Sequence, residues 1–311
     1  MAMTLKLVTI AAAAASCATA FTPSTASRAL PSAARRAAPK QATQMIDVGA
    51  TVGATVVASA VATHPIWLEA LGLKKPKAEY TPEAAEAELG EVREYFNTVG
   101  FDRWNKIYSD SDEVNGVQMD IRDGHQETID TVLQWLDADG ESATKGKTIC
   151  DLGCGVGTLA IPLAQRGATV SASDISASMA TEAARRAEEL GVTGASFEAS
   201  DLESVNGKYN LVTCIDVMIH YPTEKMTDMV SHLAGLSDEK LLISFAPKTP
   251  AYVLLKKIGE LFPGPSKTTR AYLHPEDDVR AALQKAGFKI ERSKLTATNF
   301  YFSTLLEAVR V

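Results

Sequence analysis

Residues 148–176, TICDLGCGVGTLAIPLAQRGATVSASDIS, constrain the fold of this chain more than any other stretch. An apolar run passes through Asp151 straight into Gly153, Gly155 and Gly157. A helix-like segment follows, and a second apolar run closes on Asp174. Strand, bare turn, helix and strand in that order spell a βαβ unit, which commits the chain to a parallel sheet covered by helices. The alternation continues. Strand-like runs fall at about 148–152, 168–173, 195–199, 210–216 and 240–246, separated by helix-like segments at about 157–166, 176–190 and 223–235. The last segments, FKIERSKLTAT and FYFSTLLEAVRV, read as a closing antiparallel pair. Ahead of the βαβ unit the pattern predicts a helix over 83–107, opened by TPEAAEAE with its early proline and acids. The polar loop SDSDEVNGVQ and a second helix over 124–138 come next.

The glycine loop narrows the ligand. Its spacing is G-x-G-x-G, which departs from the G-x-G-x-x-G dinucleotide fingerprint. A pyrophosphate favours bare amides at a helix start, whereas here Asp151 stands at the strand end, where a carboxylate repels a dianion and attracts a cation. A ligand carrying an ammonium group fits. Asp174 closes the second strand 21 residues beyond Gly153, where an acid accepts hydrogen bonds from ribose hydroxyls. Asp201, in FEASDLE after the third strand, is placed to accept from an adenine amino group, with the Leu202 amide directed at a ring nitrogen. Ammonium, ribose and adenine together describe S-adenosylmethionine (SAM).

Composition sets the remaining bounds. Of 311 residues, 46% are apolar and 22% charged, enough to bury a globular core. Residues 1–45 hold five basic side chains and no acid, so the rest of the chain carries −12 against −7 for the whole. A body that acidic repels phosphate backbones, and KTTR at 267–270 is too small a basic patch to offset it, so nucleic acid is not an expected partner. Neither Cys17, Cys150, Cys154 and Cys214 nor the scattered histidines have a disulfide or metal-ligand spacing, and no protein-bound metal is expected. Cys150 and Cys154 read as small residues beside a tight turn. His125 is read as capping the start of the helix expected at 124–138.

The first twenty residues pair a lysine and an apolar stretch with an A-x-A site, the pattern of a cleavable signal; residues 21–44 are rich in Ser, Thr, Ala and Arg, the pattern of a transit peptide. Joined at ATA-FTP, the two resemble the bipartite leaders of plastid proteins. Residues 46–80 read as a weakly apolar lead-in and linker, either disordered or attached to a membrane surface. The working domain is expected over 81–311, with 81–140 an N-terminal helical arm or lid and 249–273 a lid over the substrate.

DLGCGVGTLAIPLA, SASDIS, ASDLE and YNLVTCIDVMIHY are similar, as an ordered set, to the motifs of class I SAM-dependent methyltransferases. That resemblance implies an α/β, Rossmann-like fold: a mostly parallel seven-stranded sheet with helices on both faces and an N-terminal helical arm. It adds Cys154, Ile175 and Ile215 to the donor-binding set. The flanks VREYFNTVGFDRWNKIYSDSDEVNGVQMDIRDGHQETID, DVMIHYP and LFPGPSKTTRAYLHP resemble magnesium-protoporphyrin IX O-methyltransferases over residues 92–311. The family implies methyl transfer from SAM to a propionate of magnesium protoporphyrin IX, in chlorophyll biosynthesis, with the magnesium arriving inside the porphyrin. It also implies handover from the large porphyrin-binding subunit of magnesium chelatase.

His220, matching the family's IHYP motif, reads as a hydrogen-bond partner of the propionate or as a cap ahead of Pro222. Tyr108 reads as a residue of a mobile arm closing over both substrates or as packing beside Trp104. Lys256, Lys257, Lys267 and Arg270 are candidates for the carboxylate that is not methylated, or ordinary solvated charges. Two other readings stay open on the sequence: a plastid methyltransferase acting on a quinone or another small carboxylate, and a non-catalytic porphyrin- or SAM-binding regulator.

Overall fold

The structure, a computed structural model, describes residues 81–109, 113–259 and 271–311. The leader and lead-in expected at 1–80, the Lys257 side chain, and Lys267 and Arg270 lie outside the described residues.

Seven strands form one sheet: β1 Thr148–Leu152, β2 Thr169–Asp174, β3 Ala195–Ala199, β4 Tyr209–Cys214, β5 Ser237–Phe245, β6 Phe288–Ala297 and β7 Phe302–Arg310. Their order across the sheet is β3-β2-β1-β4-β5-β7-β6. The first five pair in parallel, and β7 runs antiparallel between β5 and β6. The order reverses between β1 and β4. In open sheets of this kind that reversal leaves a crevice beyond the strand C-termini, where ligands sit. The βαβ reading and the closing antiparallel pair are both borne out.

Side chains alternate across β1, sending Ile149 to one face and Cys150 to the other. Cys150, Leu152, Val212 and Cys214 pack against two helices, α6 Met226–Leu236 and α8 Glu276–Lys285, through Met229, Leu233, Val279 and Leu283. On the opposite face Ile149, Val170, Leu211 and Leu242 meet α3 Gly116–Ala138 and α4 Ala160–Gln165 through Ile129, Val132, Leu136 and Leu163. Each fully buried Leu or Ile contributes about 2 kcal/mol by leaving water. The remaining helices are α1 Pro82–Asn97, α2 Val99–Ile107, α5 Ala177–Glu189 and α7 Pro250–Gly259.

Three elements differ from expectation. The single helix predicted at 83–107 breaks at Thr98, because Asn97 Nδ2 and Thr98 Oγ1 donate back to the carbonyls of Arg93 and Glu94 at 3.0 and 2.8 Å and end α1. Gly100 then lets α2 cross closely, since a Cβ there would stand 2.6 Å from Tyr95 Cε1. α3 starts at Gly116 rather than 124: the end of the polar loop is a capping box, with Asn115 Oδ1 accepting from the Gln118 amide and Gln118 Oε1 from the Asn115 amide, at 2.9 and 3.0 Å. α8 was not expected, although three acids in its first turn and Lys285 in its last complement the helix dipole. Among the described residues no helix is long and apolar enough to cross a membrane.

Candidate active site

The loop after β1 turns back on the sheet. The amides of Gly153 and Cys154 both donate to the Ser173 carbonyl, at 2.8 and 2.9 Å. Gly153 has φ +74°, and a Cβ there would lie 2.1 Å from Val217 Cγ2, so only glycine satisfies both backbone and space. Gly155, at φ +53°, faces open space and donates its amide to Asp174 Oδ2 at 2.9 Å. Gly157 has another task. A Cβ on it would meet Ile161 Cδ1 at 2.9 Å and Ala183 Cβ at 3.3 Å, so its bareness serves packing of α4 and α5 and it is absent from the cavity wall.

Two carboxylates flank this loop. Asp151 is 3% exposed; Oδ1 accepts from Thr213 Oγ1 at 2.6 Å, while Oδ2 is buried without a partner. Burial, only partly offset by that hydrogen bond, pushes its carboxyl up to about 6. An anionic oxygen held dry and unpaired is costly until a cation meets it. Asp174 accepts from the Gly155 and Ser176 amides, both at 2.9 Å; burial raises its carboxyl and those two bonds offset part of the rise. Each of its oxygens keeps a second lone pair.

Both acids open into a cavity of about 340 Å³ beyond the ends of β1 and β4. Cys154, Ile175, Ile215 and Leu202 line it, together with Tyr108 and His220. Cys154 stays a thiol, its acidity suppressed by burial.

His220 ends a 3-10 turn, Met218–His220, just past β4. Its ring meets Phe96 of α1 edge-on at 5.4 Å, Nδ1 is buried without a partner, and burial pulls its pKa down to about 4. The ring is therefore neutral near pH 7. The turn is clamped from the far side: Tyr272 donates its amide to the Ile219 carbonyl and buried His274 Nε2 contacts the Met218 carbonyl, both at 2.8 Å. Tyr108 sits at the C-terminal end of α2, with burial raising its phenol well above the ordinary value. Arg186 on α5 fixes this end of the arm, reaching the Tyr108 carbonyl at 2.8 Å and Asn105 Oδ1 at 2.6 Å.

A polar hub completes the wall. Asp216 has φ 60°, a conformation no other non-glycine shares among the described residues. Its Oδ2 accepts from His125 Nδ1 and Tyr301 Oη, both at 2.8 Å; Oδ1 accepts from Ser244 and Ser303 at 3.0 and 3.1 Å. Burial opposes its ionisation, but hydrogen bonds from His125, Tyr301 and Ser244 outweigh it and hold the carboxyl below the usual range. His125 Nε2 faces Thr158 Oγ1 at 3.1 Å. Asp216, His125, Thr158, Tyr301 and Ser303 all line the cavity.

Comparison with known proteins decides the family. Residues 214–310 match the family described as magnesium-protoporphyrin IX methyltransferase C-terminus, and residues 149–237 match a general methyltransferase domain. A Synechocystis magnesium-protoporphyrin O-methyltransferase is 56% identical over 221 residues, covering 70% of this chain and 95% of that protein. The chain belongs to the magnesium-protoporphyrin O-methyltransferase family. An Arabidopsis thaliana relative, named magnesium protoporphyrin IX methyltransferase, chloroplastic, is 52% identical over 244 residues, 77% of this chain and 78% of its own. The crystal structure of the Synechocystis enzyme with bound S-adenosylhomocysteine superposes with a TM-score of 0.65 at 54% identity, covering 71% of this chain and 98% of that one.

Within this methyltransferase the structure gathers Asp151, Gly153, Cys154, Gly155, Asp174, Ile175, Leu202, Ile215, His220 and Tyr108 around one cavity. Asp201 is not on its wall: Oδ1 caps the turn Leu202–Ser204 through the Glu203 amide at 2.9 Å, and Oδ2 lies 3.5 Å from Arg93. Ser200 and Leu202 line the cavity in its place. Lys256 donates to the Ala271 carbonyl. His125 does not open a helix; it lies buried within α3, pointing at Asp216. Among the described residues no cluster of His, Cys, Asp or Glu could hold a metal ion.

Proposed function

We infer that the chain transfers the methyl group of SAM to a propionate carboxylate of magnesium protoporphyrin IX, giving the monomethyl ester. One observation carries the reading: a single cavity joins the unpaired Asp151 oxygen and Asp174 to Tyr108 and His220. The donor set fits SAM. Asp151 Oδ2 supplies the charge an ammonium needs, Asp174 has lone pairs for ribose hydroxyls, and the bare Gly155 lets a ligand approach the backbone.

A propionate is already an anion at neutral pH, so no general base is needed. Its oxygen forms the new bond to the methyl carbon as the carbon–sulfur bond breaks, the electron pair passes to sulfur, and no proton moves. The protein's contribution is alignment and exclusion of water. Neutral His220, through its ring N–H, and Tyr108, through its hydroxyl, hold the acceptor oxygen in line without adding a charge that would compete with the sulfonium. Phe96, Val92, Leu89 and Ile219 give the apolar wall a tetrapyrrole face requires. Segment 249–273 serves as a lid, its described end fastened to the His220 turn through Tyr272.

The chloroplast name of the Arabidopsis relative and the leader-like residues 1–45 support work in the plastid, with 46–80 as a surface tether to a membrane and the large chelatase subunit as the source of porphyrin. The test is a single-turnover assay with labelled SAM and a panel of metallated and metal-free porphyrins. Ester formed on magnesium protoporphyrin IX supports the reading; no ester, from protein folded by circular dichroism, refutes it.

A further inference from the structure

We propose that Asp216 and His125 form a positioning pair for Tyr108, setting the rate of methyl transfer through the tyrosine without touching the transferred group. The inference rests on the reading of Tyr108 as a contact to the acceptor. Asp216 cannot itself serve the substrate. Four donors, His125 Nδ1, Tyr301 Oη, Ser244 Oγ and Ser303 Oγ, occupy its two oxygens, which exhausts a carboxylate's usual capacity. What the hub does instead is fix a ring. Because a carboxylate only accepts, His125 Nδ1 is the donor toward Asp216, while Nε2 lies 3.1 Å from Thr158 Oγ1. With both nitrogens tied, the plane of His125 is set.

Tyr108 lies on that plane. Its ring packs against His125 at 4.5 Å between centroids with the planes tilted by 38°, and against Trp104 at 5.5 Å. The α3 helix, the glycine loop and the strand ends β4, β5 and β7 thus all converge on the surface that orients one arm residue. The backbone agrees: Asp216 is kept at φ 60° by its own amide donating to Ser244 Oγ at 2.8 Å, a strain retained only where the surroundings over-determine it. Thr158 follows the glycine loop that faces the donor, so the same ring joins the donor side of the cavity to the arm.

The test is a double-mutant cycle in the full chain, His125→Asn against Tyr108→Phe, read as single-turnover rate, porphyrin KM and calorimetric SAM affinity. His125→Asn keeps a donor for Asp216 but removes the ring under Tyr108. It should slow transfer about 100-fold while SAM affinity stays within about threefold, the cost of a misplacement near 1 Å rather than of lost binding. In a Tyr108→Phe background the same change should cost less than about twofold, because two residues acting through one contact are not additive. Asp216→Asn should reproduce the slow rate and shift the ¹⁵N signals of the His125 ring away from the Nδ1-protonated pattern; if that variant does not fold, the cycle decides alone. A His125 effect of equal size in both backgrounds overturns the pairing while leaving methyl transfer intact. A harmless Tyr108→Phe overturns the pairing and the role given to Tyr108 together, and absence of transfer by the unaltered chain overturns the functional reading itself.

Discussion

Replacing Asp151 with asparagine should make the ligand-free protein more stable and nearly unable to bind SAM. The native carboxyl is raised from 3.8 to about 6, chiefly by burial. At 1.36 kcal/mol per unit this corresponds to about 3 kcal/mol of strain in the ionised empty site near pH 7. Asparagine keeps an oxygen for Thr213 Oγ1 but leaves an amide donor without a partner, which returns about 1–2 kcal/mol of the gain. The net rise of about 1–2 kcal/mol should lift the melting midpoint by about 2–8 °C. With SAM at about a hundredfold above its Kd the parent gains about 2.7 kcal/mol and the variant almost none, so their order of stability inverts. The sign with pH follows from the raised native pKa. Stability tied to the protonated carboxyl is complete below the unfolded value of 3.8 and is lost as pH rises through about 6. The gap between the two proteins should therefore close as pH falls through that window. Scanning calorimetry with and without SAM across the pH range reads all of this. A variant that melts below the parent when empty, or that SAM stabilises equally, refutes the argument.

Three further outcomes follow from the same geometry. Asp174→Ala frees the Gly155 and Ser176 amides as well as the ribose site, and should weaken calorimetric SAM affinity at least about tenfold, each charge-assisted hydrogen bond being worth about 1.5–3 kcal/mol. Gly153→Ala drives a Cβ to 2.1 Å from Val217 Cγ2 at φ +74°, and should cost about 2–4 kcal/mol by denaturation; adding Val217→Ala should recover the steric part and leave about 1 kcal/mol of backbone strain. His220→Ala should cut turnover far more than SAM affinity, and because burial holds His220 near 4, that residue should contribute no titration to turnover at saturating SAM between about pH 5.5 and 8.

The parts of this site that could be read from the sequence are those whose partners are close along the chain. Asp151 and the glycines sit in one loop, and Asp174 reaches back only 19 residues to the Gly155 amide, so strand pattern and turn chemistry reveal them together. Asp216, His125 and Tyr301 are joined across 91 and 85 residues, and nothing local marks them. The available signal was indirect: His125 and Thr128 occupy the buried stripe of α3 beside Ile129 and Val132, where a polar side chain needs a partner. Reading His125 as a cap followed from starting that helix at 124 and overlooking the Asn115–Gln118 box. Asp201 stands differently. An acid after β3 is well placed for a nucleoside, and the residues that follow it form a tight turn whose Glu203 amide donates to Oδ1, a local contact that the strand pattern does not reveal. The sheet order was legible because alternation dictates it, whereas α8 was missed because its ten residues carry their apolar face only at Val279, Ala282 and Leu283.

A crystal structure with S-adenosylhomocysteine and magnesium protoporphyrin IX tests the central claim most directly. The account predicts the ammonium on Asp151 Oδ2, the ribose on Asp174, and one propionate oxygen between His220 and Tyr108 facing the sulfur. A nucleoside bound away from the glycine loop, or a porphyrin whose propionates both lie out of reach of the sulfur, would contradict it.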